Sequence, residues 1–113
     1  MFLAEARVGL PLYAVVAADG QMGVVVAFKD GSPVVVQLIR QHAPAHRSDV
    51  RVDGLDALAE MGQPGGVFVI RTARPVWMRH PARVGLCPLA VQAAICAALR
   101  REATAQAFED KYR

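Results

Sequence analysis

The sequence predicts an α+β fold, an antiparallel sheet of four to five strands in the order β-β-β-α-β-β-α with a long C-terminal helix packed on one face. Three observations predict it. Residues 21–40, QMGVVVAFKDGSPVVVQLIR, are two valine-rich runs joined at Asp30-Gly31, the strongest short-range signal for a hairpin, because a type I′ turn needs positive φ at both central positions. Residues 89–111 are alanine-rich and contain neither Gly nor Pro, as an uninterrupted helix requires. The stretch between them carries short apolar runs punctuated by Gly and Pro. At 113 residues the chain fits one domain, 1–113, with one core.

The first strand is expected over residues 8–18, with Tyr13, Val15 and Ala17 alternating against Ala14, Val16 and Ala18. Arg7 ahead of this apolar run gives it the outline of a signal peptide. Glu5 in the leader, Pro11 inside the run and a second valine strand directly after it point instead to the first strand of a cytoplasmic protein. Asp19-Gly20 turns the chain into the hairpin, so the first 40 residues form a three-stranded meander.

In the hairpin, Lys29 is expected to face Ser32, Phe28 to face Pro33, Ala27 to face Val34, Val26 to face Val35, and Val25 to face Val36. This register puts Pro33 at a non-hydrogen-bonded pair, so its missing N–H points away from the partner strand. Any strand on the other side should stop short of it or skip it. One face then carries Met22, Val24, Val26, Phe28, Val35 and Ile39, and the other Val25, Ala27, Val34, Val36 and Leu38. Both are apolar, so each needs a cover.

Residues 41–51 have no period and read as an exposed loop. His42, His46, Asp49 and Asp53 suit a divalent ion chemically, but Pro44 keeps the two histidines off a shared helical turn, and no metal site is assigned. Residues 53–62 read as a helix of about two turns. Asp53 would cap it, Leu55, Leu58 and Ala59 would share a face, and Gly62 would supply the left-handed stop. Strands are expected from Val67 to Ile70 and, edge-like because of Pro75, from Pro75 to Arg79. Pro88 opens the last helix with Cys87 in the capping position, and Val91, Ile95, Leu99, Ala103 and Ala107 form its apolar stripe. Such a helix is about 35 Å long, so its charged end beyond Glu102 should overhang the domain.

An apolar fraction of 54% with 20% charged residues excludes a disordered tail, and no apolar run approaches the roughly 20 residues of a membrane helix. Cys87 and Cys96 are too few for a disulfide scaffold, and if both lie on one helix their nine-residue spacing puts them on opposite sides, which suits a reducing compartment. The net charge of +3, with eleven of thirteen basic residues Arg, permits an anionic partner without requiring one.

Two sets of residues carry candidate chemistry. Arg71, Arg74, Arg79, His80 and Arg83 surround Trp77 in a span without an acid, which suits phosphate contacts and base stacking on a nucleic acid or another anion. The competing reading is a strand pair with its arginines in solvent and Trp77 and Met78 in the core. Cys87 at a helix N-terminus is the one candidate reactive thiol, with His80 near in sequence; a buried cysteine that merely starts the helix is the stronger reading. Phosphate loops, dinucleotide fingerprints, nucleophile elbows and zinc helices are absent from the sequence, which leans against an enzyme and implies no cofactor. The expectation is a small soluble non-catalytic interaction protein, homodimeric through the second sheet face or the overhanging helix. The alternatives are a small-molecule binder with an apolar pocket between sheet and helix, and a nucleic-acid or anion module using the span 71–83.

Overall fold

Two Asp-Gly pairs fold the first half of the sheet. In the computed structural model, which describes residues 10–41 and 43–112, strands β1 (Ala14–Ala18), β2 (Gln21–Lys29) and β3 (Ser32–Arg40) are joined by tight turns. Asp19, Gly20, Asp30 and Gly31 all have positive φ, between 51° and 79°, as type I′ turns demand. Pro11 to Tyr13 are not part of β1. The Ala14 N–H bonds to the Pro11 carbonyl and Tyr13 has φ 67°, so the chain turns there, while Val8 and Gly9 lie outside the described residues.

The expected hairpin register holds for Lys29–Ser32, Phe28–Pro33 and Ala27–Val34 and then shifts by one. Val26 bulges, and Val25 faces Val35 while Val24 faces Val36. The bulge re-sorts the two faces. Val24, Val36 and Leu38 join the main core, and Val25 and Val35 go to the opposite side with Ala14 and Val16.

Six strands form the sheet, one more than the upper expectation, in the order β4-β5-β3-β2-β1-β6 with every neighbouring pair antiparallel. The end of the expected loop 41–51 runs into β4 (Asp49–Val52), whose Val50 and Val52 are buried. The two strands expected around Ile70 and Trp77 are one strand, β5 (Phe68–Val76), with Thr72, Ala73 and Arg74 bulged out between Arg71 and Pro75. Pro75 lies beyond the stretch Phe68–Arg71 that β4 pairs, so the strand is a local edge there, as the proline predicts. β5 ends at Val76 opposite Val35, short of Pro33, as the missing proline donor requires. The segment expected to be a connection into the last helix forms edge strand β6 (Ala82–Leu86) against β1.

Both helices lie on one face. Helix α1 (Leu55–Glu60) is capped by Gly54 without a side-chain bond; Asp53, expected as the cap, lies one residue ahead and pairs with Arg51 at 3.1 Å. Its buried contacts are Leu58 and the following Met61, whereas Leu55 is exposed. Gly62, with φ 72°, ends it. Helix α2 (Leu89–Lys111) begins one residue later than expected, with Pro88 at the cap position. It buries Val91, Ile95 and Ala98, then half-buries Glu102 and Ala105. That alternation of four and three keeps one side toward the sheet, whereas the expected row through Ala103 and Ala107 drifts by about 40° per step into solvent. α2 packs over β4 and β5, and α1 over β6. Between them and the sheet, Val15, Val24, Leu38, Phe68 and Ile70 meet Leu58, Met61 and Ile95 in a filled core. The overhanging half of α2 is tied back by Arg47, whose guanidinium reaches Glu102 (2.8 Å) and Glu109 (2.8 Å). Among the described residues, no helix is long and apolar enough to cross a membrane.

The second face is crossed by the chain itself. β5 and β6 stand four strand spacings apart, about 19 Å in a flat sheet, and the six Cα steps from Val76 to Ala82 reach only about 20 Å. Residues 77–81 therefore form a strap with little slack, running over β3, β2 and β1. Met78 packs on Ala14, Val16, Val25 and Val35, in the space that a side chain at Gly23 would occupy.

α1 can seat on β6 only because Gly85 has no side chain. A Cβ there would stand 2.3 Å from the Met61 carbonyl carbon and 2.6 Å from the Glu60 oxygen. Gly85→Ala should cost about 2–4 kcal/mol, seen as a lower urea midpoint with an unchanged slope. An unchanged midpoint would mean that α1 does not lie on β6.

Candidate functional site

The strap does not cover the whole second face. Where it leaves β5, it and the tip of the β2–β3 hairpin enclose a groove of about 490 Å³. Val35 and Val76 contribute from adjacent strands, Phe28, Ser32 and Pro33 from the hairpin, and Trp77, Met78, His80 and Pro81 from the strap, with Leu10 completing the lining. Met78 points into the sheet, which turns its neighbour Trp77 outward, and Trp77 is 80% exposed. Phe28 is 46% exposed. His80 has φ 51° and bends the strap toward β6.

The lining is mostly apolar, and its polar side chains are the Ser32 hydroxyl and the His80 imidazole. The neighbouring exposed charges along the chain are Lys29 beside Phe28 and Arg79 between Met78 and His80, against one acid, Asp30. The lining thus brings one hydroxyl and one imidazole, and no carboxylate, to an otherwise apolar groove.

The residues expected to act as one anion site are dispersed. Arg71 is half-buried on β5 and donates to the Gln37 side chain at 3.3 Å. Arg74 is exposed in the β5 bulge, beside a shallow recess shared with His46, Asp49 and Arg71. Arg83 is on β6, opposite Val16. Arg71 and Arg74 thus share that recess, while Trp77 and His80, with Arg79 between them in sequence, come together around an apolar groove. Of the pair expected to enter the core under the competing reading, Met78 does and Trp77 does not.

Phe28, Pro33 and Leu10 escaped the sequence reading. Phe28 keeps its expected face-mate Val35 on the strap side, and the bulge at Val26, which no residue type marks, instead sends Val24 and Val26 to the helix side.

His46 and Asp49, two of the residues with metal-ligand chemistry, are used within their own turn. The Asp49 carboxylate accepts from the Ala45 and His46 N–H groups at 2.9 and 3.0 Å, and His46 Nδ1 accepts from the Ser48 N–H at 3.1 Å. His42 lies outside the described residues, among which no group of three or more His, Cys, Asp or Glu side chains could hold a metal ion.

Comparison of this chain with family models, with curated proteins and with solved structures finds no match.

Cys87 sits in the main core, 1% exposed, with its N–H bonded to the Tyr13 carbonyl and its carbonyl accepting from the Gln92 side chain. Desolvation outweighs any help from the helix N-terminus and pushes the thiol from an ordinary 9.0 up to about 12, the reverse of an activated thiolate. The sign of the pH effect follows. Between about pH 9 and 12 the unfolded chain has lost this proton and the folded chain has kept it. Stability attributable to the neutral thiol is complete below pH 9 and is lost as pH rises, by at most about 1.4 kcal/mol per unit. Cys87→Ala should lower stability at neutral pH through the space it vacates, yet decline less steeply than the parent above pH 9 in urea denaturation. Parallel declines would show that the thiol titrates normally in the fold.

Proposed function

We propose that this chain is a small non-catalytic interaction protein whose groove between hairpin tip and strap receives an apolar segment of a partner protein flanked by acidic residues. The observation that carries the reading is Trp77, held 80% exposed on a strap whose next residue is anchored in the sheet. An aromatic side chain on a short, tethered segment loses little freedom on binding, and such residues anchor protein interfaces. Phe28 contributes to the same apolar lining.

The charges beside the groove choose the kind of partner. Lys29, Asp30 and Arg79 adjoin groove residues along the chain, a net positive balance that favours an acidic flank on the partner segment. The groove volume also falls within the range of small-molecule sites, so a neutral apolar ligand is the second reading. Neither reading uses the sheet–helix interface, which is filled by core side chains.

Trp77 is the chain's one tryptophan, so its emission reports the groove directly. A short peptide with two aromatic residues between glutamates should shift that emission to the blue, and Phe28→Ala should weaken the binding by about tenfold. A lysine-flanked version of the peptide should bind far less well. An equal response to both peptides, or none to either, contradicts the reading; saturable binding of a neutral dye without peptide binding favours the small-molecule alternative.

A further inference from the structure

The bulge in β5 places an arginine where the sheet has no use for it. Thr72, Ala73 and Arg74 give up pairing with β3 between Arg71 and Pro75, and the buried Thr72 hydroxyl fastens the bulge by donating to the Ser48 carbonyl at 2.7 Å. The turn before β4 and the bulge are thereby held side by side, and His46, Asp49, Arg71, Ala73 and Arg74 border one recess of about 190 Å³. That volume is below the roughly 300–1,000 Å³ of sites for drug-sized ligands and suits a small ion. We propose that this recess binds inorganic phosphate, with Arg71, Arg74 and His46 donating to its oxygens and Asp49 accepting from its P–OH group.

Each of the four side chains is left with the group that this role needs. Arg71 uses one nitrogen on the Gln37 side chain, at 3.3 Å, and its other guanidinium N–H groups remain. Arg74 is exposed and makes no ion pair among the described residues. His46 accepts at Nδ1 from the Ser48 N–H at 3.1 Å, so its ring proton is on Nε2 and that nitrogen is a donor. Oδ2 of Asp49 accepts from both the Ala45 and His46 N–H groups, and Oδ1 stays open to a further donor.

The charges decide which anion fits. Two arginines against one carboxylate leave the recess net positive, so it attracts an anion. Asp49 and Arg71 are opposite each other in the strand register, yet no ion pair joins them among the described residues, so the carboxylate keeps its own need for a donor. An oxyanion without a proton, such as sulfate, sets its oxygens against that carboxylate. Inorganic phosphate at neutral pH always carries a proton, and its P–OH group turns the same contact into a charge-assisted hydrogen bond. Arginine forks suit the remaining oxygens. The recess shares no lining residue with the groove and does not depend on the function proposed there.

The test is titration of the full chain with sodium phosphate and with sodium sulfate at neutral pH and constant ionic strength, read by the backbone amide shifts of His46, Ala73 and Arg74. Phosphate should bind saturably with a Kd of about 1 mM or lower, and sulfate at least about tenfold more weakly. Arg74→Ala, a change at an exposed side chain, should weaken phosphate binding at least about tenfold. Asp49→Asn keeps an oxygen for the two turn N–H groups and presents an amide donor in place of Oδ1, so it should raise sulfate affinity to the level of phosphate. Unchanged amide shifts elsewhere in the sheet establish that each variant is folded. Shifts that do not saturate with phosphate, equal responses of the parent to phosphate and sulfate, or a preference for phosphate that persists in Asp49→Asn would overturn the proposal, as would phosphate binding indifferent to Arg74→Ala.

Discussion

The connection from β5 to β6 must cross three strands in five residues, and the outer surface of the molecule is shaped by that constraint. A looser connection could pass around the end of the sheet and leave the second face bare. With little slack, the strap seats Met78 on the cluster of Ala14, Val16, Val25 and Val35, which Leu10 and Val76 also help to cover. Burying a valine-sized side chain contributes roughly 1.5–3 kcal/mol, so a strap seated on several of them is held firmly despite its length. The same constraint alternates the strap residues, Met78 inward and Trp77 outward. The exposed tryptophan is thus a geometric consequence of seating the methionine.

The two faces are covered by different means. The main core is closed by both helices, and the glycine at position 85 lets the end of α1 reach β6. The helix that closes the other side of that core continues past it, and a charged clamp rather than apolar packing steadies the projection. Arg47 bonds to Glu102 and holds its carboxyl below the usual carboxylate range, with Gln106 adding a weaker bond. That stabilisation is present above the ordinary carboxylate range and is lost as pH falls through the lowered value; in so exposed a setting it is small.

Much of this architecture was legible in the sequence. The two Asp-Gly turns, the extent of α2, its overhang and the blocking effect of Pro33 follow from residue types with narrow conformational demands. What escaped is set by pairing across the sheet. The bulge at Val26 occurs in a run of equivalent valines that offers no local mark, and it separates Val24 from Val35, which the unshifted register had placed on one face. β4 is four residues long, too short for its Val50–Val52 alternation to stand out from the polar loop before it. β6 contains Arg83 and Gly85, poor strand formers that are acceptable at an edge and beneath α1. Trp77 was singled out from the sequence for the arginines around it, whereas in the fold its neighbours are apolar side chains from the hairpin.

The strap joins these threads, since it covers the second face, presents Trp77 and forms a wall of the groove. Nuclear Overhauser contacts from the Met78 methyl group test it most directly. The account predicts contacts to the Gly23 α-protons and to the methyl groups of Val35, which lie on the strap side of β2 and β3. A Met78 methyl without contacts to either strand, together with fast exchange of the Val25 and Val35 amides, would contradict it.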